Sequence, residues 1–197
     1  MSRKIGEVPL SLPVEGMSFN LAGFSDTAKR ALIRQKIRIA PVTPISGVQI
    51  ISTYSERFRH INPQIASLLI GVPDVGEVGY NPEAYALKRY NYHDQTRESF
   101  DLFAKEIVDA HGVALGIDAR TVPASVWIQL DAAHQQRTGK PLLQGKYVEC
   151  SDEASSGRMV VVGRFREAKE LEIDLWPKSD GYPLVASGIV FTPRASR

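Results

Sequence analysis

The sequence predicts an α+β fold, with central helices packed on a C-terminal antiparallel β-meander and an extended, proline-rich N-terminal arm. Three observations predict it. Apolar residues recur at spacings of three and four between residues 94 and 138, the helical period. Beyond Pro141 they alternate one in two, the period of a strand. Prolines punctuate the first 25 residues and forbid helix there. At 197 residues the chain can bury roughly 70% of its unfolded surface, so its core requires neither disulfide nor metal. The expected organisation is an arm over 1–25 followed by a single α+β domain over 26–197.

The elements follow in order. In the arm, Val8-Pro9-Leu10-Ser11-Leu12-Pro13-Val14 alternates proline with apolar residues, which suits a strap lying on the body or on a neighbour. A first helix is expected from Asp26 to about Ile39, capped by Ser25 or Asp26, with an alternative strand from Lys36 where Lys36-Ile37-Arg38-Ile39 alternates. Val48 to Tyr54 is rich in β-branched residues and reads as a strand. Pro63 to Leu69 reads as a short helix with proline at its first position behind Asn62. Val72 to Pro82, rich in glycine and proline, reads as a loop.

A longer helix is expected from about Asp94 to His111, with Phe100, Phe103, Ala104, Ile107 and Val108 on one face and Gly112 as its stop. Asp101 and Lys105 add an i, i+4 pair on its outer side. Another helix runs from about Pro123 to Thr138, with Val126, Trp127, Leu130 and Ala133 inward and Gly139 beyond it. Leu142–Cys150, Arg158–Phe165, Glu170–Trp176 and Leu184–Thr192 read as four strands. In the third, Leu171, Ile173 and Leu175 face a core while Glu172 and Asp174 face water. Ser179-Asp180-Gly181 suits a hairpin turn before the fourth.

Charge is unevenly spread. Residues 1–60 carry nine Lys/Arg against four Asp/Glu, whereas residues 61–118 carry four against nine. Such polarity implies either pairing of the two segments, within a molecule or head to tail, or a basic face for an acidic partner. Cys150 is the only cysteine, which excludes an intrachain disulfide and a thiolate metal site and suits a reducing compartment. The basic start has no apolar run behind it, and the longest uncharged stretch, residues 39–55, is broken by Pro41 and Pro44. A cytoplasmic protein without a membrane partner is expected.

The familiar chemical signatures are missing. No Gly-x-Gly-x-x-Gly occurs, Gly139-Lys140 and Gly145-Lys146 lack the rest of a phosphate loop, and there is no Gly-x-Ser-x-Gly. His60, His93, His111 and His134 stand singly, without metal-ligand spacing, and read as ordinary surface or helix-end residues. No cofactor or metal is expected. The segment 64–73 has the outline of the first helix and turn of a helix-turn-helix. Gly76, Gly79 and Pro82 then spoil the recognition helix that should follow.

Two sets of residues remain as contact candidates. Lys29, Arg30, Arg34, Lys36 and Arg38 form a basic stretch suited to nucleic acid or an acidic protein face. Tyr80, Tyr85, Tyr90 and Tyr92, interleaved with Lys88 and Arg89, suit a protein interface or stacking on bases. A third set carries a resemblance. Glu167-Ala168-Lys169, with Asp152 fifteen residues before the glutamate, resembles the PD-(D/E)xK nucleases. Ser151 stands where that family usually has proline. The resemblance implies two metal-holding carboxylates, Asp152 and Glu167, with Lys169 assisting an attacking water.

The expectation is a non-catalytic binding or assembly subunit that docks on another chain, or on its own copy, through the arm and the tyrosine-rich segment. The alternatives are a metal-dependent nuclease and a small-molecule enzyme whose site assembles from distant residues.

Overall fold

In the computed structural model, residues 21–85, 95–155, 157–165, 168–178, 185–186 and 188–194 are described. They form an α+β fold built on two sheets. Sheet 1 has the order β1-β3-β9-β4, with β1 Arg38–Pro41, β3 Glu77–Tyr80, β4 Ile117–Thr121 and β9 Ile189–Pro193. All its pairings are antiparallel. Sheet 2 has the order β2-β7-β6-β5-β8, with β2 Phe58–Ile61, β5 Tyr147–Glu149, β6 Arg158–Gly163, β7 Leu171–Pro177 and β8 Val185–Ala186. Its centre, β5-β6-β7, is the expected antiparallel meander. β2 and β8 join its two edges in parallel.

The helices are α1 (Asp26–Arg34), α2 (Gly47–Thr53), α3 (Gln95–Ile107), α4 (Val113–Leu115) and α5 (Ala124–Thr138). One face of sheet 1 is covered by α1 and α3, where Ala28, Leu32, Ala104 and Ile107 pack with Ile37, Ile117 and Phe191. The other face, through Ala40, Val78, Tyr80 and Val190, shares a core with α2, α5 and the inner face of sheet 2. α5 therefore lies between the sheets, and every residue from Ala124 to Asp131 is buried. A helix surrounded on all sides has no solvent face to keep polar, so its own polar residues must find partners inside.

α1 starts where Ser25 accepts a hydrogen bond from the Ala28 amide and ends sooner than expected. Lys36 adopts φ 61°, and the Ile37 amide reaches back to the Leu32 carbonyl at 3.0 Å. This left-handed stop is usually glycine's. The alternating residues after it become β1, so the strand alternative holds there.

Four expectations are corrected. Val48–Tyr54 is not a strand but α2, because Ser46 and Gln49 form a reciprocal capping box that starts a helix despite its β-branched residues. Pro63–Leu69 is a series of hydrogen-bonded turns in place of a helix: the Asn62 side chain accepts from the Gln64 amide, and the Leu69 carbonyl is taken by Val48. The loop over 72–82 contains β3. Gly112 does not stop the long helix. α3 passes through a π-helical turn, Val108–Gly112, into α4 and stops at Gly116, φ 63°. Gly112 is needed for closeness instead, since a Cβ there would stand 2.8 Å from the Ile117 carbonyl oxygen.

The C-terminal strands follow the expected alternation with two differences. Glu172 faces away from Ile173 but is buried, accepting a 2.5 Å hydrogen bond from the Tyr147 hydroxyl, so that face of β7 is not simply solvated. The stretch 184–192 divides between the sheets: β8 pairs with β5, and β9 crosses to lie between β3 and β4. β8 does not pair with β7, so no hairpin pairs them across the expected turn, and residues 179–184 lie outside those described.

Candidate functional site

The five basic residues near the amino terminus are separated by the end of α1. Lys29 turns inward and pairs with Glu77 at 2.8 Å, while the second oxygen of Glu77 accepts from the Phe24 amide at 2.9 Å. Lys36 lies 4.0 Å from Glu83 at an exposed position. Part of the charge polarity of the chain is thus absorbed by pairing with the acidic 61–118 segment. Arg30 and Arg34 remain exposed on the outer side of α1, with Ile33 between them.

Arg38 belongs to β1, directly opposite Tyr80 on β3. The structure thus brings together one residue from each of the two predicted contact sets. Tyr80 is buried in the core rather than offered as an exposed interface residue, yet its hydroxyl reaches the Nδ1 of His134, on α5, at 3.4 Å. The two rings meet edge to face, with centroids 6.1 Å apart. One turn further along α5 stands Arg137. Burial pushes the Tyr80 hydroxyl above its ordinary pKa, against the pull of Arg137 and Arg38. Burial also pushes His134 below its ordinary value, and the Arg38 charge adds to this. The imidazole is thus less basic than a free one, with the Asp131 charge opposing the shift. His134 and Arg137 carried no signal in the sequence, because only folding places α5 against β3.

Beneath this group, Asp131 anchors α5. Its Oδ1 accepts the amides of Leu142 and Leu143 at 2.8 and 3.0 Å, and its Oδ2 takes the guanidinium of Arg164. Arg164 also donates to the carbonyl of Lys169. Both charged side chains are almost wholly buried. They are a structural pair.

Of the nuclease-like set, Asp152 sits at the start of α5. There its carboxylate accepts the Ala124 amide at 2.6 Å, supplying the cap that Pro123 cannot. Burial raises its pKa, with the hydrogen bonds opposing. Lys169 is exposed beyond the other end of β6. The Cys150 amide binds the Val160 carbonyl, which puts Asp152 near the Arg158 end of that strand, whereas Lys169 lies past its Gly163 end. At about 3.3 Å per residue, β6 separates the two ends by about 17 Å. The structure therefore does not bring Asp152 and Lys169 together, and Glu167 lies outside the described residues. Among the described residues no group of three or more His, Cys, Asp or Glu could hold a metal ion.

No family model, no curated protein and no solved structure matches the chain. Lys88, Arg89, Tyr90 and Tyr92, the side chain of Tyr85, and residues 1–20 of the arm lie outside those described. Tyr85 closes a 3-10 turn that begins at Pro82, immediately after β3. No described helix is long and apolar enough to cross a membrane.

Proposed function

We propose that the protein is a non-catalytic binding or assembly subunit, and that a second copy of the chain is the partner its surface fits best. One observation carries this reading. Two half-apolar helix faces of opposite charge lie exposed on the same side of sheet 1. α1 turns Arg30, Ile33 and Arg34 outward, with Ile33 60% exposed. α3 turns out Leu102, 58% exposed, with Glu106 one turn on; the π-helical turn adds exposed Asp109, and α4 adds Val113 at 82%.

Across a two-fold axis, α1 of each copy can lie against α3 of the other, so that each contact is made twice. Apolar side chains then meet at the centre and arginines meet carboxylates at the rim, the usual anatomy of a protein interface. The charges orient the encounter more than they tighten it. Tyr80 is buried on the other face of sheet 1 and is no part of this surface, and residues 1–20 and 86–94, which the sequence also offers for docking, lie outside those described.

The test is the mass in solution by light scattering across a concentration series. The wild type is expected at twice 21.8 kDa or a higher multiple. Ile33→Asp is expected to return it to the monomer mass. Arg34→Glu is expected to weaken association, and combining it with Glu106→Arg to restore it. A wild type that stays monomeric at every concentration would defeat the proposal.

A further inference from the structure

We propose that Arg38, His134 and Arg137, with the Tyr80 hydroxyl, form a binding site for a phosphate monoester. This site lies between sheet 1 and the C-terminal half of α5, apart from the α1 and α3 faces, and does not depend on the assembly reading.

The inventory of groups decides the class of ligand. The Tyr80 hydroxyl faces Nδ1 of His134. When the hydroxyl donates to Nδ1, the imidazole carries its proton on Nε2, which then points a donor away from Tyr80. The two guanidinium groups are donors only. Among the described residues, no carboxylate lies within salt-bridge distance of Arg38 or Arg137. Asp131, one turn before His134 on α5, is already engaged by Arg164 and two amides. Among the described residues the cluster therefore offers donors and two cations without a carboxylate partner.

Its complement is an acceptor-rich anion. A carboxylate would neutralise one guanidinium, whereas a phosphate monoester carries nearly two negative charges and three acceptor oxygens. Two planar forks can each take a pair of those oxygens. The route in is open on one side, since Arg137 is exposed, while Arg38 and His134 are half-buried and Tyr80 forms the floor. The depressed basicity of His134, due first to burial and then to the Arg38 charge, agrees with this arrangement.

The experiment follows the His134 ring resonances by NMR in the full-length protein. Adenosine monophosphate is titrated first, then adenosine and inorganic phosphate as separate arms. The monophosphate is expected to shift the ring signals saturably and to raise the imidazole pKa, since a bound dianion favours the protonated ring. Arg137→Gln alters an exposed position and is expected to weaken binding about tenfold or more, the loss of a charge-assisted hydrogen bond. Arg38→Lys keeps the charge but loses the fork, and is expected to weaken binding less than Arg38→Gln. Equal shifts from adenosine and its monophosphate would overturn phosphoryl recognition. Binding of inorganic phosphate but not of the monophosphate would overturn the ester. Unchanged affinity in Arg137→Gln, or no saturable shift with any of the three, would overturn the site.

Discussion

Replacing Asp131 with alanine should be among the most damaging single changes this protein can suffer. The carboxylate serves three donors: the amides of Leu142 and Leu143 through one oxygen, and the Arg164 guanidinium through the other. Its side chain and that of Arg164 are 2% and 3% exposed, so water cannot replace any of these contacts without opening the core. Each orphaned amide costs roughly 1–3 kcal/mol, and a buried charge stripped of its partner about 3–5 kcal/mol. These losses overlap as the site relaxes, so Asp131→Ala is expected to lose about 4–5 kcal/mol. A domain of ordinary stability has about 5–15 kcal/mol in all. Urea denaturation followed by tryptophan fluorescence, with Trp127 in the core and Trp176 on β7 as reporters, gives the midpoint and slope directly. Asp131→Asn keeps an acceptor for the two amides and should fall between wild type and alanine. In the pair Asp131→Asn/Arg164→Met neither charge is left alone, so its loss should be smaller than the sum of the single losses. A loss under about 1 kcal/mol for Asp131→Ala, with an unchanged slope, would refute the idea that this pair holds α5 between the sheets.

Three further outcomes are expected. Lys36→Gly should stabilise the protein by up to about 1 kcal/mol, because Lys36 holds a left-handed conformation that costs a residue with a Cβ; a lower thermal midpoint would contradict this. At neutral pH, Asp152→Asn should be as stable as wild type or more so, since it keeps an acceptor for the Ala124 amide and removes a buried charge. Asp152→Ala should lose about 1–2 kcal/mol, and equal losses for both would reject the capping role. His134 is less basic folded than unfolded, so the unfolded chain takes up its proton first as pH falls. Its stabilising contribution is complete above the unfolded value of about 6.5 and is lost as pH drops through it towards the folded value. Urea midpoints of wild type and His134→Gln should therefore diverge below that pH, and parallel curves would remove His134 from the titration.

The class of fold was legible because most of the chain obeys its own periodicity. The 3.6-residue spacing around Ala104 and Ile107 and the twofold alternation of Leu171, Ile173 and Leu175 each place the expected residues in a core. What failed is equally physical. Ile50 and Ile51 lie in a run of β-branched residues whose propensity favours a strand, but Ser46 and Gln49 start a helix ahead of them, and that four-residue box was readable. β2 and β3 are four residues long and owe their existence to distant partners, β7 for the one and β1 and β9 for the other, so no local pattern announces them. β9 adjoins β8 in sequence yet joins another sheet, which a count of consecutive strands cannot reveal.

The site was legible only in halves, for a reason the register makes plain. Arg38 and Tyr80 each stood out by type, one as a cation in a basic stretch and one as a tyrosine in an aromatic run. They are 42 positions apart, and only the antiparallel pairing of β1 with β3 sets them opposite each other. His134 and Arg137 sit i, i+3 on a helix, a spacing so common that it carries no information until the helix is seen against β3. The buried helix makes the arrangement possible. Because α5 has no solvent face over its first two turns, its polar side chains there are forced into partnerships, Gln129 with both backbone groups of Thr43 and Asp131 with Arg164, while half-buried His134 on the next turn meets Tyr80. The first two close on themselves and leave no unbalanced charge. The third meets Arg38 and Arg137 with no carboxylate to match them among the described residues. Within this run of partnerships along one helix, the place where neutrality fails is where a ligand of opposite charge has most to contribute.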